Sequence, residues 1–344
     1  MIRIEAYDDY ECQNRVRMKS GYGCIHFISG GFCKLQEFRC IPYVLAKEFP
    51  LDHSLLQLYL TCRRAFKLFA LDGLECKEEQ LPVKMKLGCI FHKATEIIHN
   101  DKETLSFILS DIADIVKIYF PKPEREVELY RLFGLLKGYC EMVETTPGWT
   151  EKQWILRESG LPTIFGTVDQ SGTDDDMRSY FIERKYSGSP DFYSDHFVAD
   201  QLSTYFLGLP EAEYCIFQVV RHPALKSIGQ YKNETLEELE ERVYKDVIRN
   251  PAFYFINYDK KTKRFGTKYY RSQFEDEITE KRIQLKIVAS EIRWGMKKHG
   301  DWWFTKNTAH CFSHPDRPCI YLPIKKTGVV SPDIYRKREK KLFR

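Results

Sequence analysis

The chain lacks a long apolar run, an internal repeat and a low-complexity tract. A membrane-spanning helix needs roughly 18 consecutive apolar residues, and no such run occurs. The N-terminal segment, MIRIEAYDDYECQ, carries acidic residues and no apolar stretch of the kind found in a secretory signal. These absences predict a soluble, cytoplasmic protein, inside the host cell if it is viral, with no membrane partner.

The chain also has little net charge, because 53 lysines and arginines are nearly balanced by 49 aspartates and glutamates, which leaves a formal charge of +4. The field of the whole molecule therefore does not indicate a nucleic-acid ligand, and binding one would need local patches. A basic patch interleaved with aromatics lies within 258–271. The alternative for any charged run is a solvated face. The candidate nucleic-acid contacts are Arg63, Arg64, Lys260, Lys261, Lys263, Arg264, Lys268 and Tyr269.

The 11 cysteines do not indicate a disulfide framework. Their number is odd, their spacing is irregular and no export signal is recognisable, so reduced thiols are expected. Metal ligation is the alternative for some of them.

The periodicity of apolar residues divides the chain into three parts. Residues 1–50 have weak periodicity and several glycines, which is typical of a small N-terminal extension. Residues 51–324 are predicted to form the main domain, and residues 325–344 a basic tail. Within the main domain, helical patterns extend to about Tyr139 and then give way to strand patterns. The predicted strands are 163–170, 180–186 and 214–220, and the predicted later helices are 199–207, 234–249 and 272–298.

This order of elements predicts an α/β fold. The first two strands are separated by SGTDDDMRS, which is rich in turn-forming residues, so they are expected to form a hairpin. The hairpin is expected to lie in a central mixed sheet flanked by helices, with helical additions at both ends. The aromatic and basic segment between the last two helices is expected to be a hairpin or a loop.

The predicted hairpin also carries the residues that indicate chemistry. Side chains two positions apart on a strand share a face, so Glu183 and Lys185 project together. If Gln170 pairs with Tyr180, Asp169 lies on the same face, diagonal to Glu183 at about 7–8 Å. One carboxylate from each strand is suited to holding a hard cation such as Mg²⁺ or Mn²⁺ between them.

Such a site is typical of metal-dependent hydrolysis of phosphodiesters. The ion would polarise the phosphate and generate hydroxide, while Lys185 would position or deprotonate the attacking water. The alternative is that Glu183 and Lys185 form an exposed charged stripe on an edge strand.

An ordered series of motifs surrounds these strands. A late W-F-T-K-N-T-A-H-C…P-C-I-Y-L segment extends the series to about residue 322. In this order the motifs resemble the RecB-like branch of the PD-(D/E)XK nucleases, often met in phages and DNA-repair systems. The earlier motifs are S-L-L-Q-L-Y-L-T-C-R-R-A-F from Ser54, G-C-I-F-H-K-A-T-E from Gly88, G-T-V-D from Gly166, I-E-R-K from Ile182 and Q-L-S-T-Y from Gln201.

The resemblance implies a restriction-endonuclease-like core and roles for further residues. It implies that His92 reaches the metal held by Asp169 and Glu183, and that Gln201 and Tyr205 orient the lysine or the nucleic-acid backbone. The spacing agrees, because residues four apart share a helix face, as Gln201 and Tyr205 do. The catalytic set is therefore Asp169, Glu183, Lys185, Gln201 and Tyr205, and the metal set is His92, Asp169 and Glu183.

The activity implied by the resemblance is that of a DNA exonuclease. It would hydrolyse linear or single-stranded DNA ends in viral replication, recombination or repair, with a helicase or a recombination protein as partner. A structure-specific endonuclease is the enzymatic alternative, and RNA cleavage stays open. A nucleic-acid-binding subunit with a vestigial site is the alternative of another class.

Two other metal sites are conceivable. His92, Glu96 and His99 lie on one helix face and could bind zinc, although the H-E-x-x-H order is absent. Some relatives hold an iron–sulfur cluster with one upstream cysteine and three late ones. Here only two late cysteines match, so packed thiols are favoured over a cluster or a zinc ion. The residues of that second site are Cys62, Cys311, His314 and Cys319.

Overall fold

The computed structural model describes residues 15–18, 21–24, 27–28, 32–33, 51–100, 105–121, 126–145, 148–159, 161–193, 195–226, 229–304, 321, 324 and 330–337. Its main feature is one five-stranded mixed sheet with helices packed on both faces, which is an α/β architecture. No helix in these ranges is long and apolar enough to span a membrane.

The strands are numbered in chain order, and four short ones precede the main domain. The main sheet is formed by β6 to β10, and β5 pairs with β11 outside it. The strands are β1 Arg15–Met18, β2 Gly21–Cys24, β3 Phe27–Ile28, β4 Phe32–Cys33, β5 Leu74–Cys76, β6 Trp149–Leu156, β7 Ile164–Thr173, β8 Ser179–Ser187, β9 Tyr214–Arg221, β10 Thr267–Tyr270 and β11 Tyr335–Lys337.

The helices are numbered in the same way. Two of them begin with a side-chain cap: Asp52 accepts from the Leu55 N–H, and Thr235 forms a capping box with Glu238. The α-helices are α1 His53–Thr61, α2 Arg63–Phe66, α3 Val83–Asn100, α4 Leu105–Tyr119, α5 Glu126–Met142, α6 Asp195–Gly208, α7 Leu236–Arg249, α8 Pro251–Tyr254 and α9 Glu275–His299.

The order of the main sheet is β10-β9-β8-β7-β6, and only the β8–β9 pair is parallel. Parallel neighbours need a long crossover, and α6 supplies it between β8 and β9. Successive side chains of β9 face opposite layers of helices, as expected of a strand inside the sheet. Phe217 and Val219 face one layer of helices, whereas Val220 faces the other. A central strand that is buried on both faces reads as an almost continuous apolar run.

Two hydrophobic cores therefore lie on opposite faces of the sheet. The first core packs α1, α6 and α9 against the sheet, and the second packs α3, α5 and α7. A smaller third cluster joins Cys62 and Leu74 to Tyr335 of β11. Residues 335–337 belong to the segment predicted as a basic tail, yet β11 pairs with β5 and Tyr335 is buried.

The predicted α/β class and the mixed sheet are confirmed. The predicted strands at 163–170, 180–186 and 214–220 correspond to β7, β8 and β9, and the three later helices correspond to α6, α7 and α9. The segment expected to be a hairpin or a loop is one in part, because an antiparallel bridge between Asp259 and Arg264 closes a turn within it. The segment also contains α8 and β10, and β10 joins the main sheet beside β9.

Two glycines allow α5 and α7 to approach each other closely. A Cβ atom on Gly134 would lie 2.8 Å from Val243 Cβ, and one on Gly138 would lie 2.7 Å from Val247 Cβ. Both distances are shorter than real Cβ atoms adopt, and Gly134 and Gly138 are one helical turn apart on the same face.

We expect Gly138→Ala to destabilise the protein by about 1–3 kcal/mol, because overpacking outweighs the better helix propensity of alanine. Gly88→Ala is the matched control, since Gly88 lies within α3 and its Cβ would meet nothing within 4 Å. It should be neutral or stabilising by up to about 1 kcal/mol. Urea unfolding followed by circular dichroism measures both. Equal behaviour of the two variants would contradict the close packing of α5 on α7.

Candidate functional site

The candidate site lies where β7 and β8 separate. The two strands pair from Thr173↔Ser179 to Gln170↔Ile182, and the ladder ends there. Beyond this point β8 continues along β9 alone, from Glu183↔Phe217 to Ser187↔Arg221. Asp169 and Glu183 are the first residues past the last pair, so their side chains lie at the opening between the strands.

The predicted register of the hairpin was wrong by two residues. Gln170 pairs with Ile182 and not with Tyr180, because both strands extend further into the turn than the sequence suggested. The Asp174 side chain closes a shorter turn by accepting from the backbone N–H groups of Asp176 and Arg178. A shift of two residues keeps the same face, so it leaves Asp169 and Glu183 on one side of the hairpin and makes them direct neighbours.

Asp169 is held by contacts from the strand beside it and from a helix. The backbone N–H of Arg184 donates to Asp169 Oδ2 at 2.5 Å, in place of a strand-to-strand bond. His92 Nδ1, from α3, lies 2.9 Å from Asp169 Oδ1. Burial of Asp169 favours its neutral form, but the charges and hydrogen bonds of His92 and Arg184 outweigh it and lower the pKa of Asp169. Burial alone would lower the pKa of His92, but the charge of Asp169 and the hydrogen bond to it outweigh burial and raise that pKa.

Glu183 accepts from two donors that arrive from different elements. Lys185 Nζ donates to Glu183 Oε1 at 2.6 Å, and Gln201 Nε2, from α6, donates to the same oxygen at 2.7 Å. Gln201 Nε2 also donates to Tyr205 Oη at 2.9 Å, one helical turn further along. The structure therefore brings the five predicted catalytic residues together with His92.

The electrostatics of this group follow from its burial. Glu183 is only 5% exposed, and burial raises its pKa even though Lys185 opposes the shift. Burial alone would lower the pKa of Lys185, but the Glu183 carboxylate outweighs it and raises that pKa. At neutral pH Lys185 is therefore an ammonium group, which can orient water or stabilise negative charge.

The donor set fits a hard divalent cation, because it offers two carboxylates, of which Glu183 is buried and Asp169 is partly buried. Burial is the main cause of the raised pKa of Glu183 and the charge of Asp169 adds to it, so a cation between the two carboxylates would favour the ionised form of Glu183. However, no three His, Cys, Asp or Glu side chains in the described ranges are grouped as ligands of one ion. The side chains of His92, Asp169 and Glu183, which were predicted to ligate one metal ion, therefore do not converge on a common position. Glu183 instead accepts hydrogen bonds from Lys185 and Gln201.

Arg184 is a residue of this site that the sequence reasoning assigned no role. It is 1% exposed and lies on the face of β8 opposite to Glu183. Its guanidinium donates to Gln218 Oε1 at 2.9 Å and to Gln170 Oε1. The two amides are neutral and accept two of its hydrogen bonds, and its positive charge acts on Asp169 across the strand. The signal in the sequence was a basic residue at a core-facing position of a strand.

A second group of polar side chains, around Asp200 of α6, was also not predicted from the sequence. Asp200 accepts from Gln57 of α1 and from Lys281 of α9, and His53 Nδ1 lies 3.6 Å away. Lys281 is 4% exposed. The group joins three helices next to Gln201, so it fixes the helix that presents Gln201 and Tyr205. No local pattern in the sequence connects residues this far apart.

The alternative zinc face on α3 is not formed. His99 Nε2 lies 2.9 Å from Tyr139 Oη, and Glu96 accepts from Lys93. Burial lowers the pKa of His99 to about 3, which keeps it neutral inside the second core. His99 and Glu96 are therefore each bonded to a different partner and not to a site shared with His92.

The other predicted metal site falls largely on residues that the structure does not describe. Cys311, His314 and Cys319 lie outside the described ranges. Cys62 is 1% exposed and packs with Ala65 and Leu68 in the third cluster. That environment is typical of a thiol packed as a small apolar group.

The predicted nucleic-acid contacts separate into two groups. Arg63 pairs with Glu291 of α9, and Arg64 precedes the buried Ala65. The other residues belong to the turn and to β10. Lys260, Lys261, Lys263, Arg264 and Lys268 are exposed there, whereas Tyr269 is partly buried against Phe274.

We expect reversal of Lys260, Lys261 and Lys263 to glutamate to weaken DNA binding and to flatten its salt dependence. Each phosphate contact that is lost should reduce the slope of log affinity against log salt by roughly 0.9. The control reverses three other exposed lysines, Lys117, Lys232 and Lys245, which changes the net charge equally. Identical slopes for the two triple variants would make the turn an ordinary solvated face.

Comparison with known proteins does not identify the chain. No protein-family model and no curated protein sequence matches it. A solved structure described as "Crystal structure of SSO0001" is similar over 59% of this chain and 77% of its own chain, with 17% sequence identity and a TM-score of 0.25. A similarity of this size carries no argument about fold family or activity.

Proposed function

We propose that this protein is a metal-dependent DNA nuclease with a restriction-endonuclease-like core. The observation that carries the proposal is the meeting of Asp169, Glu183 and Lys185 where β7 and β8 separate. A charged stripe on an exposed strand edge would not have Glu183 at 5% exposure. The order of the sequence motifs, which resembles the RecB-like nucleases, supports the same class.

The chemistry divides among the residues. A bound Mg²⁺ or Mn²⁺ would supply a Lewis acid and lower the pKa of water. Asp169 and Glu183 would hold it, with His92 fixing the Asp169 carboxylate. Lys185 is charged in this arrangement, which supports positioning of the attacking water over deprotonation of it. Gln201 would orient Glu183 by donating to its carboxylate, and Tyr205 would hold Gln201 in place.

The proposed substrate is DNA with linear or single-stranded ends, and the proposed mode is exonucleolytic. The exposed basic turn at 259–264 supports contact with phosphates. Action beside a helicase or a recombination protein, in replication, recombination or repair, belongs to the same proposal and rests on the resemblance.

One observation favours a second candidate, which is nucleic-acid binding without catalysis. Glu183 is already bound by Lys185 and Gln201, and the residues placed by the structure contain no group of three metal ligands. In such a protein the ion pair would be a structural element of a former active site.

Cleavage assays decide between the two candidates. The purified full chain is incubated with end-labelled linear DNA and with circular DNA, each with Mg²⁺, with Mn²⁺ and with a chelator. A nuclease of the proposed type degrades linear DNA in either metal and not in chelator. Cleavage of the circle as well would favour an endonuclease. Binding of DNA without cleavage under any condition would support the second candidate and refute the first.

A further inference from the structure

Three aromatic rings meet at the C-terminal end of α9 and just after it. The imidazole of His299 is stacked on the indole of Trp303, with ring centroids 5.8 Å apart and an angle of 12° between the planes. Trp294 meets both rings edge-on, at 5.4 Å from His299 and 5.5 Å from Trp303. We call Trp294, His299 and Trp303 the aromatic triad.

Trp303 is the most firmly held member of the aromatic triad. A Cβ on Gly295 would lie 2.5 Å from Trp303 Cγ, so the ring lies against the bare helix backbone at a position that only glycine permits. Its Nε1 donates to Tyr59 Oη at 3.1 Å, and the guanidinium of Arg63 lies over the ring at 4.3 Å. Arg63 is itself paired with Glu291. Trp303 is therefore held by contacts from α1, α2 and α9.

The outer members of the triad face solvent. Trp294 is 51% exposed, and His299 is exposed as well. Lys298 Nζ lies 4.9 Å from the Trp294 ring centroid, and Arg293 is a further exposed cation next to it in the chain. Contact of the Trp294 ring with water is unfavourable, so a partner that covers the ring gains free energy. The cations beside the ring favour an anionic partner.

We propose that the aromatic triad is a stacking platform for a single-stranded nucleic acid. Arg63, Trp303 and His299 are stacked on one another in that order. A nucleobase extends this stack by lying on the outer face of the His299 imidazole, with Trp294 beside it. Lys298 and Arg293 then neutralise the adjoining phosphates. Aromatic faces with interspersed cations bind unpaired bases of any sequence, whereas a duplex hides its base faces. This inference deepens the proposed function by naming its substrate strand, and it rests on that function.

The platform lies at a defined distance from the candidate site. Lys281 of α9 contacts Asp200, next to Gln201, and Trp294 is 13 residues further along the same helix. At about 1.5 Å per residue the separation along the helix is about 20 Å. Even at the roughly 3.4 Å per nucleotide of a strand in a duplex, a 12-nucleotide strand is long enough to cover this separation.

The test measures binding of the full chain to labelled oligonucleotides by fluorescence anisotropy in chelator, where no cleavage occurs. The probes are a 12-nucleotide thymidylate and an abasic strand with the same number of phosphates. We expect Trp294→Ala and His299→Ala each to weaken thymidylate binding on the order of tenfold. Binding of the abasic strand should be unchanged, and His299→Phe should retain affinity because it keeps a ring in place.

Trp149→Ala is the matched control, since Trp149 is a tryptophan with 79% exposure at the start of the edge strand β6. It should bind both probes as the parent does. Unchanged thymidylate affinity in Trp294→Ala would overturn the proposal, and so would an equal loss for both probes, which would mark an electrostatic or structural role.

A measurement on the unaltered protein keeps the proposal testable if the variants fail to fold. Thymidylate should quench its tryptophan fluorescence, the abasic strand should not, and quenching by both or neither refutes stacking. These binding results are independent of the cleavage assays. If no cleavage is seen but stacking is, the proposed function fails and the platform stands.

Discussion

We expect Asp169→Ala to abolish metal-dependent cleavage while the variant still binds DNA. The substitution removes a carboxylate that holds the cation, and it also leaves the backbone N–H of Arg184 and the ring of His92 without their acceptor. Loss of an interaction of several kcal/mol in the transition state lowers turnover by roughly a thousandfold or more. Binding persists because no basic contact to phosphate is removed.

The control for this variant is Asp176→Ala, which removes an exposed carboxylate from the turn of the same hairpin. It should cleave as the parent does. Circular dichroism and thermal unfolding establish that both variants are folded. Near-parental turnover in a folded Asp169→Ala protein would remove Asp169 from the active site, and the assignment of the whole group would fail with it.

Lys185→Ala should reduce kcat by roughly a hundredfold or more, with little change in the metal concentration that gives half-maximal activity. A lysine that positions the attacking water acts mainly in the transition state, whereas the carboxylates hold the ion. Lys185→Arg should rescue poorly, because a planar guanidinium has a different donor geometry from the ammonium that reaches Glu183 Oε1.

Lys152→Ala is the control for the lysine series. Lys152 lies on β6, is partly exposed and pairs with Glu211 at 3.4 Å, so its removal changes the net charge equally without touching Glu183. If Lys185→Arg turns over as fast as the parent, the side chain contributes only positive charge. If Lys185→Ala does so, the residue has no part in the reaction.

The sequence was sufficient to predict the class of the fold because its patterns are local. The alternation of β7, the apolar run of β9 and the period of α6 are each contained within 14 residues or fewer. The grouping of Glu183 with Lys185 and of Gln201 with Tyr205 follows from the same periods. The predicted hairpin placed Asp169 on the face of Glu183, and the motif order connected this group with His92, Gln201 and Tyr205, which no periodicity could have done.

What the sequence did not predict depends on contacts between distant residues. The register of the hairpin was set by the Asp174 side chain, which closes the turn and also accepts from Tyr214 of β9. The burial of Arg184 depends on Gln170 and Gln218 arriving from two other strands. In the group around Asp200, the contact with Gln57 joins residues of α1 and α6 that are 143 positions apart in the sequence. Such arrangements are decided by packing.

The two hydrophobic cores give the candidate site an unusual dependence on local stability. His92 comes from a helix of the second core, and Gln201 and Tyr205 come from a helix of the first. Each layer therefore supplies a necessary part, and partial unfolding of either one takes the site apart while the other remains folded. For the proposed nuclease we therefore expect activity to follow the weaker of the two layers, so that a rise in urea abolishes cleavage before the helical signal of the more stable layer is lost.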